Sequence, residues 1–172
     1  MGDLTTKRIC QINLASGYSG GERQTELLVL ELARRGVPQR LVVRESTGLA
    51  ERCADADGLE IRVVSGNHLA AAHASRGCDI THAHDGRSAY AVMLGRWLYG
   101  IPYVITRRVI TGKPMSGLRK LAYNGAAGLA AVSAATAADM NAGGLDRHIA
   151  VIPDARSDLQ VDQGQVAAIR TA

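Results

Sequence analysis

With 172 residues, 47% of them hydrophobic and 21% charged, the chain carries enough apolar mass for one full core and has the composition of a globular domain, not of a disordered or fibrous one. The net charge of +4 favours anionic partners, but the lack of any Phe, an aromatic content of 3% and the absence of a basic run interleaved with aromatics disfavour nucleic acid. Cys10, Cys53 and Cys78 form no C-x-x-C, no apolar run reaches the about 18 residues of a membrane span, and MGDLTTKR leads into a strand rather than a secretory signal, so a reduced, cytoplasmic protein is expected.

Strand-like and helix-like runs alternate along the chain, the pattern of βα units that build a parallel sheet. The first strand is predicted over 7–14, where Ile9, Ile12 and Leu14 make a short apolar run of the kind such a sheet buries on both faces. A turn holding Gly17, Gly20 and Gly21 follows. The helix after it, over 22–35, passes through Leu27, Leu28, Leu30 and Leu32, gathers Arg34 and Arg35 at its negative end and stops at Gly36. Further strands over 39–43, 60–64, 79–83, 103–106, 128–132 and 149–152 alternate with helices over 49–54, 69–75, 88–99, 116–124 and 134–142. The expected class is α/β, a doubly wound, mainly parallel sheet of about seven strands with helices on both faces and right-handed crossovers. Residues 1–155 read as the domain and 156–172 as a polar tail closing with VAAIRTA, the opening of a helix.

Sheets of this type bind ligands outside the carboxyl ends of their strands, where the strand order reverses. Function is therefore sought in the loops over 16–21, 82–87, 107–114 and 154–157. In the first loop, the N–H groups opening the helix lack intrahelical partners and sit at the positive end of its dipole, which suits a phosphate or sugar-phosphate oxygen. The alternative is that these glycines only let helix and strand approach. Gly17-x-x-Gly20-Gly21 matches neither the dinucleotide fingerprint nor a P-loop. In the second loop, alternation puts His82 and His84 on one side of a strand end, as polar lining or as a general acid or base. A zinc reading would need Asp85 as a further ligand with no second cluster to complete it, so no metal is expected. Arg107 and Arg108, followed by Lys113, Arg119 and Lys120, form the densest positive patch. It is matched to phosphate or carboxylate, or else is a solvated loop. No G-x-S-x-G elbow is present, and Ser133 reads as a helix N-cap.

Five segments, INLASGYSGGERQTELLVLELARRG, CDITHAHDGRSAYAV, GIPYVITRRV, AGLAAVSAATAADM and IAVIPDA, in this order and spacing resemble the N-terminal domain of family 4 glycosyltransferases. These are retaining enzymes of the GT-B architecture that move a sugar from a nucleotide-sugar donor. The resemblance implies a Rossmann-like domain supplying the acceptor side of a cleft, with the donor shared with a C-terminal domain. That second domain carries paired glutamates separated by seven residues in the family, and no two glutamates of this sequence are eight positions apart. The expectation is that 156–172 begins the interdomain linker and that this piece alone is inactive.

Carried across by the resemblance, Gly20 and Gly21 face the donor phosphates and Glu22 and Arg23 open the helix behind them. Together with the residue reading, the candidate donor-phosphate and acceptor contacts are Gly20, Gly21, Glu22, Arg23, His84, Asp85, Arg107 and Lys113, and the catalytic candidates are Arg108 and His82. Two departures stand out: family members often place a histidine after the fifth strand where this sequence has Arg107 and Arg108, and commonly read Asn-Gly where Asp154 and Ala155 stand. Family chemistry rests on positioning and on stabilising the departing nucleotide diphosphate, with the nucleotide-sugar as substrate and no cofactor. The implied acceptor is a glycan or lipid-linked glycan, as in bacterial lipopolysaccharide or cell-envelope synthesis, with peripheral contact at the inner face of the cytoplasmic membrane and no nucleic acid. A free-standing Rossmann-like domain binding a nucleotide or phosphorylated metabolite without catalysis is the alternative. An NAD(P)-dependent enzyme reading its cofactor through Arg44 or Glu45 is disfavoured by the glycine spacing.

Overall fold

A computed structural model describes residues 6–155; the tail predicted over 156–172 lies outside the described residues. The strands are β1 Ile9–Asn13, β2 Gln39–Arg44, β3 Leu59–Val64, β4 Ile80–Ala83, β5 Tyr103–Arg107, β6 Gly128–Ala131 and β7 Ala150–Val151. Between them lie α1 Gly20–Arg34, α2 Leu49–Arg52, α3 His68–Ala74, α4 Ser88–Tyr99, α5 Gly117–Asn124 and α6 Ala134–Ala142. All strand pairs are parallel, and the sheet runs β3-β2-β1-β4-β5-β6-β7. This is the doubly wound, Rossmann-like architecture expected. The order reverses between β1 and β4, so a crevice must open above their carboxyl ends.

The two faces of the sheet have separate cores. On one side, Val29 of α1 and Leu49 of α2 pack on Leu41 and Val43 of β2. On the other, small residues such as Ala71, Ala91, Ala122 and Ala131 let α3, α4, α5 and the strands approach closely around Ile12, Tyr103, Ile105 and Met140. Tyr103 spans this second core, and its hydroxyl donates to the Ala122 carbonyl at 2.7 Å. A Cβ on Gly125 would fall 2.6 Å from that hydroxyl, so only glycine fits there.

α1 departs in detail from the leucine stripe that its sequence offers. Its buried side chains are Glu22, Thr25, Glu26, Val29 and Ala33, while Leu27, Leu28, Leu30 and Leu32 are half-buried. The inner face tolerates polar groups because they are paired. The Asn13 amide donates to Thr25 Oγ1 at 3.1 Å, and Glu26 accepts from Tyr18 and Arg23. Arg34 and Arg35 close the helix by pairing with Glu31, whose carboxyl they hold down at about 2.

Candidate functional site

A cleft of about 630 Å³ opens at the crevice. The β1–α1 turn contributes Ser19, Gly21 and Glu22, the β4–α4 turn His84, Asp85, Gly86 and Arg87, and the β5–α5 segment Arg107, Arg108, Val109 and Thr111. Three of the four loops singled out from sequence thus line one cavity. The last is tied to it: Arg108 Nε donates to Asp154 Oδ1 at 3.1 Å, and the Gln24 amide exchanges two hydrogen bonds with the Ala155 backbone at 2.8 and 2.9 Å.

Arg108 is the hub of this rim. Beyond its contact with Asp154, its Nη1 donates to the His84 carbonyl at 3.2 Å. Its Cδ lies 4.0 Å from where a Cβ on Gly21 would sit. One side chain therefore ties three of the four loops together and lies next to the open space at the fourth. Its neighbour Arg107 turns to the opposite face of the strand and is buried, with Nη1 on the Tyr123 hydroxyl at 3.2 Å and Nη2 on Thr111 Oγ1 at 3.0 Å. Its Nε is buried without a partner among the described residues.

The glycine turn is neither strained nor crowded. Gly17, Gly20 and Gly21 all lie outside the left-handed region, and a Cβ on Gly17 or Gly20 would meet nothing within 4 Å. Neither chain conformation nor helix–strand packing demands glycine here, so what the glycines provide is open space at the mouth of α1. Glu22 folds back on that helix, its Oε2 accepting from the Ser19 backbone N–H at 2.8 Å and from Ser19 Oγ at 2.7 Å. Arg23 pairs with Glu26 and does not line the cleft.

His82 and His84 stack with ring centroids 4.0 Å apart. His82 Nε2 contacts Thr106 Oγ1 at 2.7 Å. His84 Nε2 faces the Gln11 carbonyl oxygen at 2.8 Å, which puts the ring proton on Nε2 and leaves Nδ1 as an acceptor, buried and unpartnered among the described residues. Burial first, and then the positive charge of Arg108, depresses His82 to about 4. Burial, His82 and Arg108 push His84 well below the usual histidine range. Both rings are therefore neutral near pH 7, presenting polar atoms without adding positive charge beside the arginine.

Asp85 is saturated. Oδ2 accepts from the Leu14 N–H and Ser88 Oγ, both at 2.7 Å, and Oδ1 from the N–H groups of Arg87 and Ser88 at 2.7 and 3.1 Å. It caps the start of α4 and fastens the end of β1 to that turn. Lys113 lies outside the main cleft, in a second groove that adjoins it at Tyr90 and Arg119. Among the described residues, no group of three His, Cys, Asp or Glu is arranged to hold a metal. Sequence reading missed Thr106, Tyr90 and Tyr123, which line the cleft from the interiors of β5, α4 and α5. Thr106 was accessible in principle, since it is two residues from Arg108 on the same strand-end face.

A family profile described as Glycosyltransferase Family 4 matches residues 18–155. No curated protein matches the chain. Among solved structures, Anabaena Alr3699/HepE in complex with UDP-glucose superposes with a TM-score of 0.76 at 14% identity, covering 96% of this chain and 49% of that one. The apo lipopolysaccharide outer core galactosyltransferase WaaB gives 0.62 at 13% identity, covering 90% and 47%. An α-glucosyltransferase in complex with UDP and a 13-mer DNA gives 0.57 at 13%, covering 87% and 43%. Such identities establish a shared fold, and this chain spans about half the length of those structures.

Proposed function

The chain belongs to glycosyltransferase family 4, and from that premise we propose that it is the N-terminal, acceptor-side half of a retaining enzyme that takes a sugar from a nucleotide-sugar donor. The observation that carries this reading is Arg108, a cation fixed at the strand-order reversal and facing the open mouth of α1. In departing, a nucleotide diphosphate accumulates negative charge. A preorganised guanidinium and the partial positive charge of a helix N-terminus stabilise that charge more than they stabilise the intact donor. Gly20 and Gly21 keep side chains out of the phosphate's way, so that backbone N–H groups reach it. His84 is neutral polar lining, and His82, which is not among the residues lining the cleft, stacks against it.

A glycan or lipid-linked glycan, delivered at a membrane face, is the acceptor class consistent with the basic rim. HepE was solved with UDP-glucose and WaaB acts on the lipopolysaccharide outer core, and both support a sugar nucleotide and an envelope glycan as first trials. No helix among the described residues is long and apolar enough to cross a membrane. The test is sugar transfer by the full-length protein carrying this domain, with UDP-glucose and other nucleotide sugars as donors and product anomers assigned by NMR. Retained configuration is expected. Inversion would refute the retaining mechanism, and no transfer or donor hydrolysis with any nucleotide sugar would refute the function.

A further inference from the structure

The cleft does not end at Arg119. Tyr90 and Arg119 also line a second groove of about 440 Å³, whose other walls are Lys113, Pro114, Ser116 and Leu118. Ser19 and Gly21 belong only to the first cavity, so the continuation leads away from the mouth of α1. Its charge is one-sided. Several surface arginines elsewhere are matched: Arg34 and Arg35 to Glu31, Arg62 to Glu60, Arg23 to Glu26. The side chains of Arg87, Lys113 and Arg119 have no ion pair or hydrogen bond among the described residues. Nor can nearby carboxylates answer them. Glu22 is committed to Ser19 and Asp85 to Leu14, Arg87 and Ser88. Asp139 accepts from the N–H groups of Thr111 and Gly112 at 3.1 and 2.7 Å.

Those last bonds make the groove a built feature. Asp139 of α6 clamps the segment between β5 and α5, the Met115 N–H donates to the Gly143 carbonyl at 2.8 Å, and buried Met115 anchors the wall from which Lys113 projects. Lys113 and Arg119 are exposed on one groove, and a polyanion between like charges relieves their repulsion. A carboxylate brings one charge, whereas a phosphate monoester carries about −1.5 to −2 near pH 7, as well as oxygens for the Arg fork. Tyr90, half-buried between the two cavities, supplies a flat apolar face of the kind that sugar rings pack on.

We propose that this groove is an acceptor subsite for a phosphorylated sugar, with Lys113 and Arg119 taking the phosphate, Tyr90 packing on the ring, and the hydroxyl to be glycosylated directed toward Arg108. Calling it an acceptor subsite rests on the glycosyltransferase reading; the selectivity for a phosphorylated sugar does not. The test is ¹H–¹⁵N spectroscopy of the chain titrated with glucose and with glucose 6-phosphate. Glucose 6-phosphate is expected to move the amides of Lys113, Ser116 and Arg119, and glucose at equal concentration to leave them in place. The double variant K113E/R119E, both exposed positions, should weaken the response at least about tenfold, the loss of two charge-assisted contacts. K120E, at an exposed lysine that lines neither cavity, should change it by less than about twofold. Equal shifts with the two sugars, or an equal loss in K120E, would overturn the proposal. UDP-glucose serves as the separating control. If it moves Gly20, Gly21 and Arg108 in both wild type and K113E/R119E while glucose 6-phosphate moves nothing, this inference alone fails; if it moves nothing in either protein, the donor-site reading fails.

Discussion

Gly21 offers a test in which stability and function move in opposite directions. Its backbone lies outside the left-handed region, and an added Cβ would come 4.0 Å from Arg108 Cδ, an ordinary contact. Gly21→Ala therefore introduces no strain, and by restricting the unfolded chain near the start of α1 it should stabilise the domain by about 0.5 kcal/mol, raising Tm by about 1–2 °C. The same methyl, and still more the branched side chain of Gly21→Val, stands in the space through which a diphosphate would reach the helix N-terminus and Arg108. Losing one charge-assisted hydrogen bond costs about 1.5–3 kcal/mol, or about 10- to 150-fold in kcat/KM. The assays are thermal unfolding of the chain and sugar transfer by the full-length protein. Turnover within about twofold of wild type for both variants would refute the phosphate role. A fall in Tm for Gly21→Ala would show instead that glycine is there for packing.

Arg108→Ala should lower transfer by about 10²- to 10³-fold, and Lys120→Ala by less than about threefold; equal effects, read from kcat/KM, would mean that the basic patch acts only through diffuse charge. His82 is held neutral with its folded value depressed to about 4, below about 6.5 for an unfolded histidine. The unfolded chain then binds more protons between these values, so stability falls as pH drops through this window, by about 3 kcal/mol in all. Urea unfolding between pH 4 and pH 7 should show a shallower loss for His82→Gln, and an unchanged slope would contradict a buried neutral ring. Asp85→Ala should destabilise the fold by about 2–4 kcal/mol, because it removes the α4 cap and leaves the buried Leu14 N–H unpaired; normal stability with lost activity would instead make Asp85 a ligand contact. Gly125→Ala should cost about 1–3 kcal/mol by driving a Cβ against the Tyr103 hydroxyl, measurable as a lowered urea midpoint.

The sheet was legible because the strands are short, carry an apolar run and are bounded by turns, and because each parallel crossover needs a helix that leaves its own period in the sequence. Ile80–Ala83, for example, stands between the Gly77 turn and the capped start of α4. The rim was legible for a related reason, since polar residues at the carboxyl ends of buried strands have nowhere to go but a common edge. The direction of individual side chains was not. Asp85 beside two histidines reads equally as a ligand or as a cap, and only the arrival of the Leu14 N–H from β1 decides between them. Arg107 and Arg108 are indistinguishable in sequence, yet one is buried in the cleft wall against Tyr123 while the other reaches across to the His84 carbonyl and Asp154. The half-buried leucines of α1 mislead in a similar way: their spacing reports a helix, while its inner stripe is set by which polar groups find partners.

The electrostatics of the cleft explain why one arginine can work there. A guanidinium 15% exposed at its side chain pays for its lost water unless charge or dipoles replace it. Asp154 supplies one carboxylate at 3.1 Å and His84 a carbonyl at 3.2 Å. Were the two histidines protonated, three positive groups would crowd one another and the N-terminus of α1. Burial keeps both neutral, so they add no charge to that of the helix and of the arginines lining the cleft. Asp154 is the more exposed partner, at 39%, and its hold on Arg108 is therefore the more easily exchanged. An incoming diphosphate can take over that contact and gain the α1 amides as well, which Asp154 does not reach. On the proposed function, the charge that would bind the leaving group is thus already compensated before the ligand arrives, and little of the cleft would have to reorganise.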